Sequence, residues 1–99
     1  MKVNWTPRAI QTFEKILTWL QENWTQREVD ALIDQTEKII KQIQQNPYLY
    51  RESSKNKQVR RGLVNQIVSL FYRVHPHKKE IDLLVFWDYR QNPEKNQYD

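Results

Sequence analysis

Two consecutive segments with helical periodicity, each with its own start signal, dominate the first half of this chain. The first segment begins at Thr6 and Pro7, because threonine caps a helix well and proline suits the first helical position. The second begins at Thr25 and Glu28, which have the spacing of a capping box, and Pro47 ends it. The apolar-stripe residues, three or four positions apart, are Ile10, Phe13, Leu17, Leu20 and Trp24, then Val29, Leu32, Ile33, Thr36, Ile40 and Ile43. The short joint between the segments predicts an antiparallel helical hairpin.

The periodicity is extended rather than helical on both sides of this hairpin. Residues 2–5 alternate polar and apolar side chains, as a short strand does. After a polar loop over residues 47–58, runs rich in β-branched and aromatic residues cover 59–64, 67–74 and 80–87. The last run is apolar on both faces, which predicts a central strand. The order β-α-α-β-β-β predicts an α+β fold, a helical hairpin packed on an antiparallel-rich four-stranded sheet, as a single domain over residues 1–99.

Alternation within the predicted strands assigns residues to the two faces of the sheet. In the middle strand, Tyr72 shares its face with apolar residues and is predicted to belong to the core, whereas Arg73 takes the other face. In the last strand, Asp82 and Asp88 fall on one face by parity. Their separation of six positions is about 20 Å, which is too far for paired acid–base chemistry.

Composition excludes several classes of site. The chain has no cysteine, so it has no disulfide or thiol nucleophile, which fits a reducing compartment. Its one glycine cannot build a glycine-rich phosphate loop. His75 and His77 lie in a predicted turn without a third ligand nearby, so we expect no metal and no cofactor. No segment has the apolar length of a signal peptide or a membrane span, so we expect a cytoplasmic protein with no membrane partner. We also expect no small-molecule substrate.

Positive charge is concentrated in the middle of the chain. Residues 51–79 carry eight basic side chains and one acidic, whereas the first fifty residues are balanced. Such a block predicts an anionic partner, although a basic surface also serves solubility alone. The candidate residues for binding a target or a nucleic acid are Lys55, Lys57, Arg60, Arg61 and Arg90.

A metal-free ribonuclease could be built from the arginines and tyrosines of this half. Guanidinium groups bind phosphate in a bidentate way and stabilise developing charge, and a tyrosine stacks on a base or helps to activate a ribose hydroxyl. The candidate catalytic residues are Arg60, Arg61, Arg73, Tyr89 and Arg90. The alternative is that these arginines pair with surface carboxylates such as Asp82 and Asp88.

Several stretches, in their order and spacing, resemble the RelE/ParE superfamily of bacterial type II toxins. They are residues 3–9 (VNWTPRA), 46–47 (NP), 59–61 (VRR), 70–74 (LFYRV) and 86–93 (FWDYRQNP). The resemblance implies a growth-inhibiting cytoplasmic toxin of a toxin–antitoxin module, a kind of module that stabilises plasmids. It also implies a cognate antitoxin that wraps the toxin and masks its basic surface. Trp19, which lies off the apolar stripe of the first helix, is a candidate antitoxin contact or a residue at the core edge.

The superfamily has two main activities, and they imply different targets. ParE-like members poison DNA gyrase, whereas RelE-like members cleave mRNA on the ribosome without a metal. In the cleaving branch an arginine commonly stands three residues before the strand aromatic that Tyr72 matches, and here that place is Ser69. The long helical hairpin also resembles the ParE side. We therefore expect a ParE-like gyrase poison that is not an enzyme, with the metal-free endoribonuclease and a non-toxic nucleic-acid-binding module as alternatives.

Overall fold

The computed structural model describes residues 1–99 and places two helices on one face of a four-stranded sheet. The elements are β1 (Lys2–Trp5), α1 (Pro7–Asn23), α2 (Gln26–Gln45), β2 (Val59–Leu63), β3 (Val68–His75) and β4 (Glu80–Asp88). The sheet order is β1-β4-β3-β2, in which β1 is parallel to β4 and the other pairs are antiparallel. The predicted element order and the central position of the last strand are therefore confirmed. Neither helix has the length and apolar character needed to cross a membrane.

The two helices begin at the predicted caps. The Thr6 hydroxyl accepts a hydrogen bond from the Ala9 backbone N–H (3.1 Å) and donates one to the Leu83 carbonyl (2.6 Å), so this cap also ties α1 to β4. At α2 the capping box is present, and the Glu28 carboxylate accepts the Thr25 N–H at 3.0 Å. Hydrogen bonds from Thr25 hold the pKa of Glu28 below its ordinary value.

The main core lies between the helices and the sheet. Phe13, Leu17 and Leu20 of the predicted α1 stripe contact it, but the two ends of the stripe do not. Ile10 and Trp24 are 44% and 53% exposed, while Ala9 and Ile16 are buried instead. Beyond the end of β1, β4 has a strand partner only on its β3 side. There the Phe86 N–H donates to the Thr12 hydroxyl of α1 at 3.0 Å, so the helix satisfies a backbone donor that β1 does not reach. The predicted apolar stripe of α2 is confirmed as buried at four positions, and Ile39 is buried as well. The buried residues of α2 are Val29, Leu32, Thr36, Ile39 and Ile43.

A β-bulge in β4 changes the alternation of that strand. The register with β3 shifts between Phe71 and Tyr72, which leaves Leu84 without a partner residue. As a result Asp82 lies on the face opposite the helices, the open face, whereas Asp88 is 1% exposed on the helix-covered face. The prediction that the two acids share a face is therefore wrong, because simple alternation does not survive a bulge.

The C-terminal tail, residues 91–99, covers part of the open face. A small apolar cluster there consists of Val59, Phe71 and Val85. The Tyr98 ring packs against Phe71 with a centroid distance of 5.5 Å. The Ser53 hydroxyl donates to the Tyr98 carbonyl, which ties the tail to the loop that precedes β2.

Gly62 of β2 lies next to the Ile39 side chain of α2. A Cβ at this position would stand 2.8 Å from Cδ1 of Ile39, which is closer than two carbon atoms pack. We expect Gly62→Val to lower the free energy of unfolding by about 1–3 kcal/mol, since α2 or the Ile39 side chain must move. Urea denaturation measures the change. Leu63→Val, at a neighbouring site that is 55% exposed, is the control; equal stabilities of the two variants would contradict the prediction.

Candidate functional site

Arg60 and Arg61 are neighbours in β2 and therefore point to opposite faces of the sheet. Arg60 lies opposite Tyr72 on the helix-covered face, and Arg61 lies opposite Phe71 on the open face. The two arginines that the sequence grouped by charge thus belong to different surfaces. The structure separates them because side chains of a strand alternate.

Arg60 holds the loop that follows α2. Its Nη1 donates to the Tyr50 carbonyl at 2.7 Å, and its Nη2 lies 3.7 Å from the Glu52 carboxylate. The guanidinium also stacks over the Tyr48 ring at 4.9 Å. These contacts leave the Arg60 side chain 19% exposed.

A polar cavity opens where β2 begins and β3 ends, beside Arg60. Its volume is about 420 Å³. It is lined by Tyr48, Lys57, Gln58, Arg60, Arg73, Val74, His75 and Pro76, and we call it the basic cavity. It brings three of the predicted basic residues together. Lys55, in contrast, points away to the tail, where its Nζ lies 3.5 Å from the Asn96 carbonyl.

Arg61 and Tyr89 meet on the open face. The Arg61 Nε donates to the Ser69 hydroxyl at 3.1 Å, and its guanidinium lies 5.6 Å from the centre of the Tyr89 ring. The Tyr89 hydroxyl donates to the Asp99 carboxylate at 3.1 Å. Burial raises the pKa of Tyr89 despite the positive charge of Arg61. The phenol therefore stays protonated at neutral pH.

Arg90 lies on the helix side, in an ion pair with a buried carboxylate. Its Nε and Nη2 donate to the two oxygens of Asp88, each at 3.2 Å. Asp88 also accepts the Arg90 backbone N–H at 2.9 Å and the Gln91 amide at 3.1 Å. The guanidinium stacks over the Trp19 ring at 4.9 Å, so the predicted antitoxin contact is half-buried against the core. This arginine joins the end of β4 to α1.

The two histidines after β3 have different environments. His75 Nε2 lies 2.8 Å from an Asp82 oxygen, and His77 is exposed. Burial opposes ionisation of Asp82, but hydrogen bonds from Asn4 and His75 hold its pKa below the ordinary value. No group of three or more histidine, cysteine or acidic side chains stands close enough to share a metal ion.

Sequence reasoning missed Tyr48 and His75 as lining residues of the basic cavity, and Asp99 as a partner of Tyr89. The loop and tail that carry Tyr48 and Asp99 have no periodicity from which a contact follows. For His75 the sequence did contain a signal. It stands two positions after Arg73 in β3, so the alternation of side chains places both on one face.

The family model described as "ParE toxin of type II toxin-antitoxin system, parDE" matches residues 3–93. This chain belongs to the ParE toxin family. The predicted membership in the RelE/ParE superfamily is thereby confirmed.

Solved structures similar to this ParE toxin come from two toxin–antitoxin systems. One is the chromosomal ParDE system from P. aeruginosa, 20% identical with a TM-score of 0.72, where the match covers 89% of this chain and 95% of that one. The other is the YoeB–YefM complex from Staphylococcus aureus, 16% identical with a TM-score of 0.57, where the coverage is 86% and 92%. Both show the shared fold. No curated protein matches the sequence.

Proposed function

We propose that this ParE toxin inhibits growth by poisoning DNA gyrase and that a cognate antitoxin neutralises it. The observation that carries the proposal is the match of the ParE family model over residues 3–93. The similar solved structures belong to ParDE and YoeB–YefM toxin–antitoxin systems, which supports an antitoxin as the partner of this chain.

The geometry gives less support to the alternative, a metal-free ribonuclease that acts on the ribosome. Ser69 occupies the strand position at which the cleaving branch commonly has an arginine, and it is 1% exposed. Tyr89 holds its proton against the Asp99 carboxylate. Of the four candidate arginines, only Arg60 and Arg73 line one cavity. Arg61 and Arg90 lie on other surfaces, so the four do not converge on one scissile phosphate. A gyrase poison needs no such convergence.

Covalent gyrase–DNA complexes are the expected product of the toxin. Purified toxin is incubated with gyrase, ATP and supercoiled plasmid, and the reaction is stopped with detergent and protease. We expect linear DNA to rise several-fold with toxin concentration, because a poison prevents religation of the cleaved strands. The same mixture without gyrase must leave the plasmid supercoiled.

Induction in cells separates the three functions that the sequence left open. A DNA-damage response with intact mRNA supports gyrase poisoning, whereas codon-positioned mRNA ends without linear plasmid would establish the ribonuclease instead. Unchanged growth would indicate a non-toxic module. Co-expression of a small acidic protein from an adjacent reading frame should restore growth if that protein is the antitoxin.

A further inference from the structure

The basic cavity holds more positive charge than its surroundings neutralise. Lys57, Arg60 and Arg73 line it, and no acidic side chain does. Glu52 approaches Arg60 at 3.7 Å, but neither Lys57 nor Arg73 forms an ion pair with any residue of the protein. Like charges repel more strongly in a partly desolvated site than in bulk water. An anion bound among these three groups would relieve that repulsion.

Arg73 gives the more specific indication. Its Nε is buried and hydrogen-bonds to no other group of the protein. The acid opposite it in the sheet, Asp82, is already engaged by the Asn4 amide at 3.0 Å and by His75 at 2.8 Å. A buried charged donor without an acceptor is unfavourable and rare in folded proteins. Because Arg73 lines the cavity, an oxyanion bound there would pair with the charge of its guanidinium group.

The size and lining of the cavity suit a nucleotide unit better than a small ion. Its volume of about 420 Å³ lies within the range of roughly 300–1,000 Å³ that is typical of ligand pockets. Tyr48 at its edge is 52% exposed and carries the Arg60 guanidinium against its ring. Guanidinium groups bind phosphate through two parallel donors, and exposed aromatic rings stack on bases in a sequence-tolerant way.

We propose that the basic cavity binds the phosphodiester backbone of a nucleic-acid strand, with Arg73 and Lys57 on phosphate oxygens and Tyr48 against a base. DNA and RNA both supply this chemistry. An acidic peptide fits less well, since its carboxylates have no planar group to stack on Tyr48. The site excludes Arg61 and Arg90, which lie elsewhere, and its binding of nucleic acid does not require gyrase.

Fluorescence anisotropy with labelled twelve-nucleotide probes tests the site directly. The nucleic-acid probes are single-stranded DNA, single-stranded RNA and duplex DNA. A labelled polyglutamate peptide tests the alternative that the site binds an acidic peptide. We expect Arg73→Gln to weaken nucleic-acid binding about tenfold and to reduce the salt slope of the affinity by about one. Lys57→Gln, at an exposed loop position, should act in the same direction without altering the fold. A preference for DNA or for RNA supports the site and identifies which nucleic acid it binds.

Arg27→Gln is the matched control, because it removes the same charge at an exposed position at the opposite end of α2. It should leave the affinity unchanged. The proposal is overturned if no oligonucleotide binds, if polyglutamate binds as tightly as the nucleic acids, or if Arg27→Gln weakens binding as much as Lys57→Gln does. The gyrase assay is independent of this one, so a toxin that binds oligonucleotides but traps no gyrase would refute only the proposed function.

Discussion

Tyr72→Ala is expected to lower the free energy of unfolding by about 4 kcal/mol, in the range that large buried aromatic residues show. Tyr72 is fully buried in the main core, and its hydroxyl donates to the Pro47 carbonyl at 2.9 Å. The substitution therefore removes a ring from the centre of β3 and releases the chain just after α2. Urea denaturation at 25 °C measures the change. A loss below about 1.5 kcal/mol would show that the site collapses around the smaller side chain.

Tyr72→Phe separates the hydroxyl from the ring. It keeps the packing and leaves the Pro47 carbonyl without a donor, so we expect a loss of about 1 kcal/mol. Burial raises the pKa of Tyr72 to about 12 from its ordinary value of 10.0. The folded state holds this proton more tightly than the unfolded state does. The stabilising contribution of the protonated Tyr72 hydroxyl is therefore fully present below pH 10 and is lost as the pH rises toward 12. The Phe variant should therefore show a flatter decline of stability across that alkaline range.

The same hydrogen bond positions the edge of the basic cavity. Tyr48 follows Pro47 directly, and Arg60 stacks on Tyr48 while bonding to the Tyr50 carbonyl. Loosening Pro47 should therefore weaken oligonucleotide binding as well as the fold. Tyr72→Phe tests this coupling in a variant that remains folded.

Arg90→Met is expected to destabilise the protein by about 2–3 kcal/mol, because it leaves the buried carboxylate of Asp88 without its counterion. Asp88 is 1% exposed and would keep only the backbone N–H of residue 90 and the Gln91 amide. In this variant a thioether side chain replaces the guanidinium over the Trp19 ring, so much of the packing is retained. The expected loss is therefore mainly electrostatic, and urea denaturation measures it.

The double variant Asp88→Asn with Arg90→Met is the control for this interpretation. A neutral amide at position 88 needs no counterion, so at least half of the lost stability should return. If the single Arg90→Met variant is as stable as the wild type, the ion pair has no net stabilising role. Loss of toxicity in any Arg90 variant must accordingly be read together with its stability, because unfolding alone abolishes activity.

The elements of this fold were predictable because their signals are local. A threonine followed by proline and a capping box start the helices within single turns of chain. β-branched and aromatic runs mark the strands to within one or two residues of their observed ends. Tyr72 was also assigned correctly to the core, because alternation with its apolar neighbours holds throughout β3.

The candidate site was less predictable, for reasons that individual residues show. Charge counted along the chain joined Arg60 to Arg61, although the strand period already sends them to opposite faces. Arg90 was grouped with them, yet its partner Asp88 reaches the helix-covered face only because Leu84 forms a bulge. The acid was expected on the same face as Asp82, where it could not have met Trp19 or α1.

The amino-acid sequence alone determined the β-α-α-β-β-β order, the helical hairpin, the central last strand and the family resemblance, since caps, periodicity and turn residues act over a few positions. Only the tertiary structure decided which arginines share a surface, which carboxylates they meet, and that Arg73, Lys57 and Tyr48 surround one cavity. Those facts depend on strand register, on one inserted residue in β4 and on contacts between segments far apart in the chain. Register and long-range contacts are settled by the packing of the whole core, and no short stretch of sequence contains them.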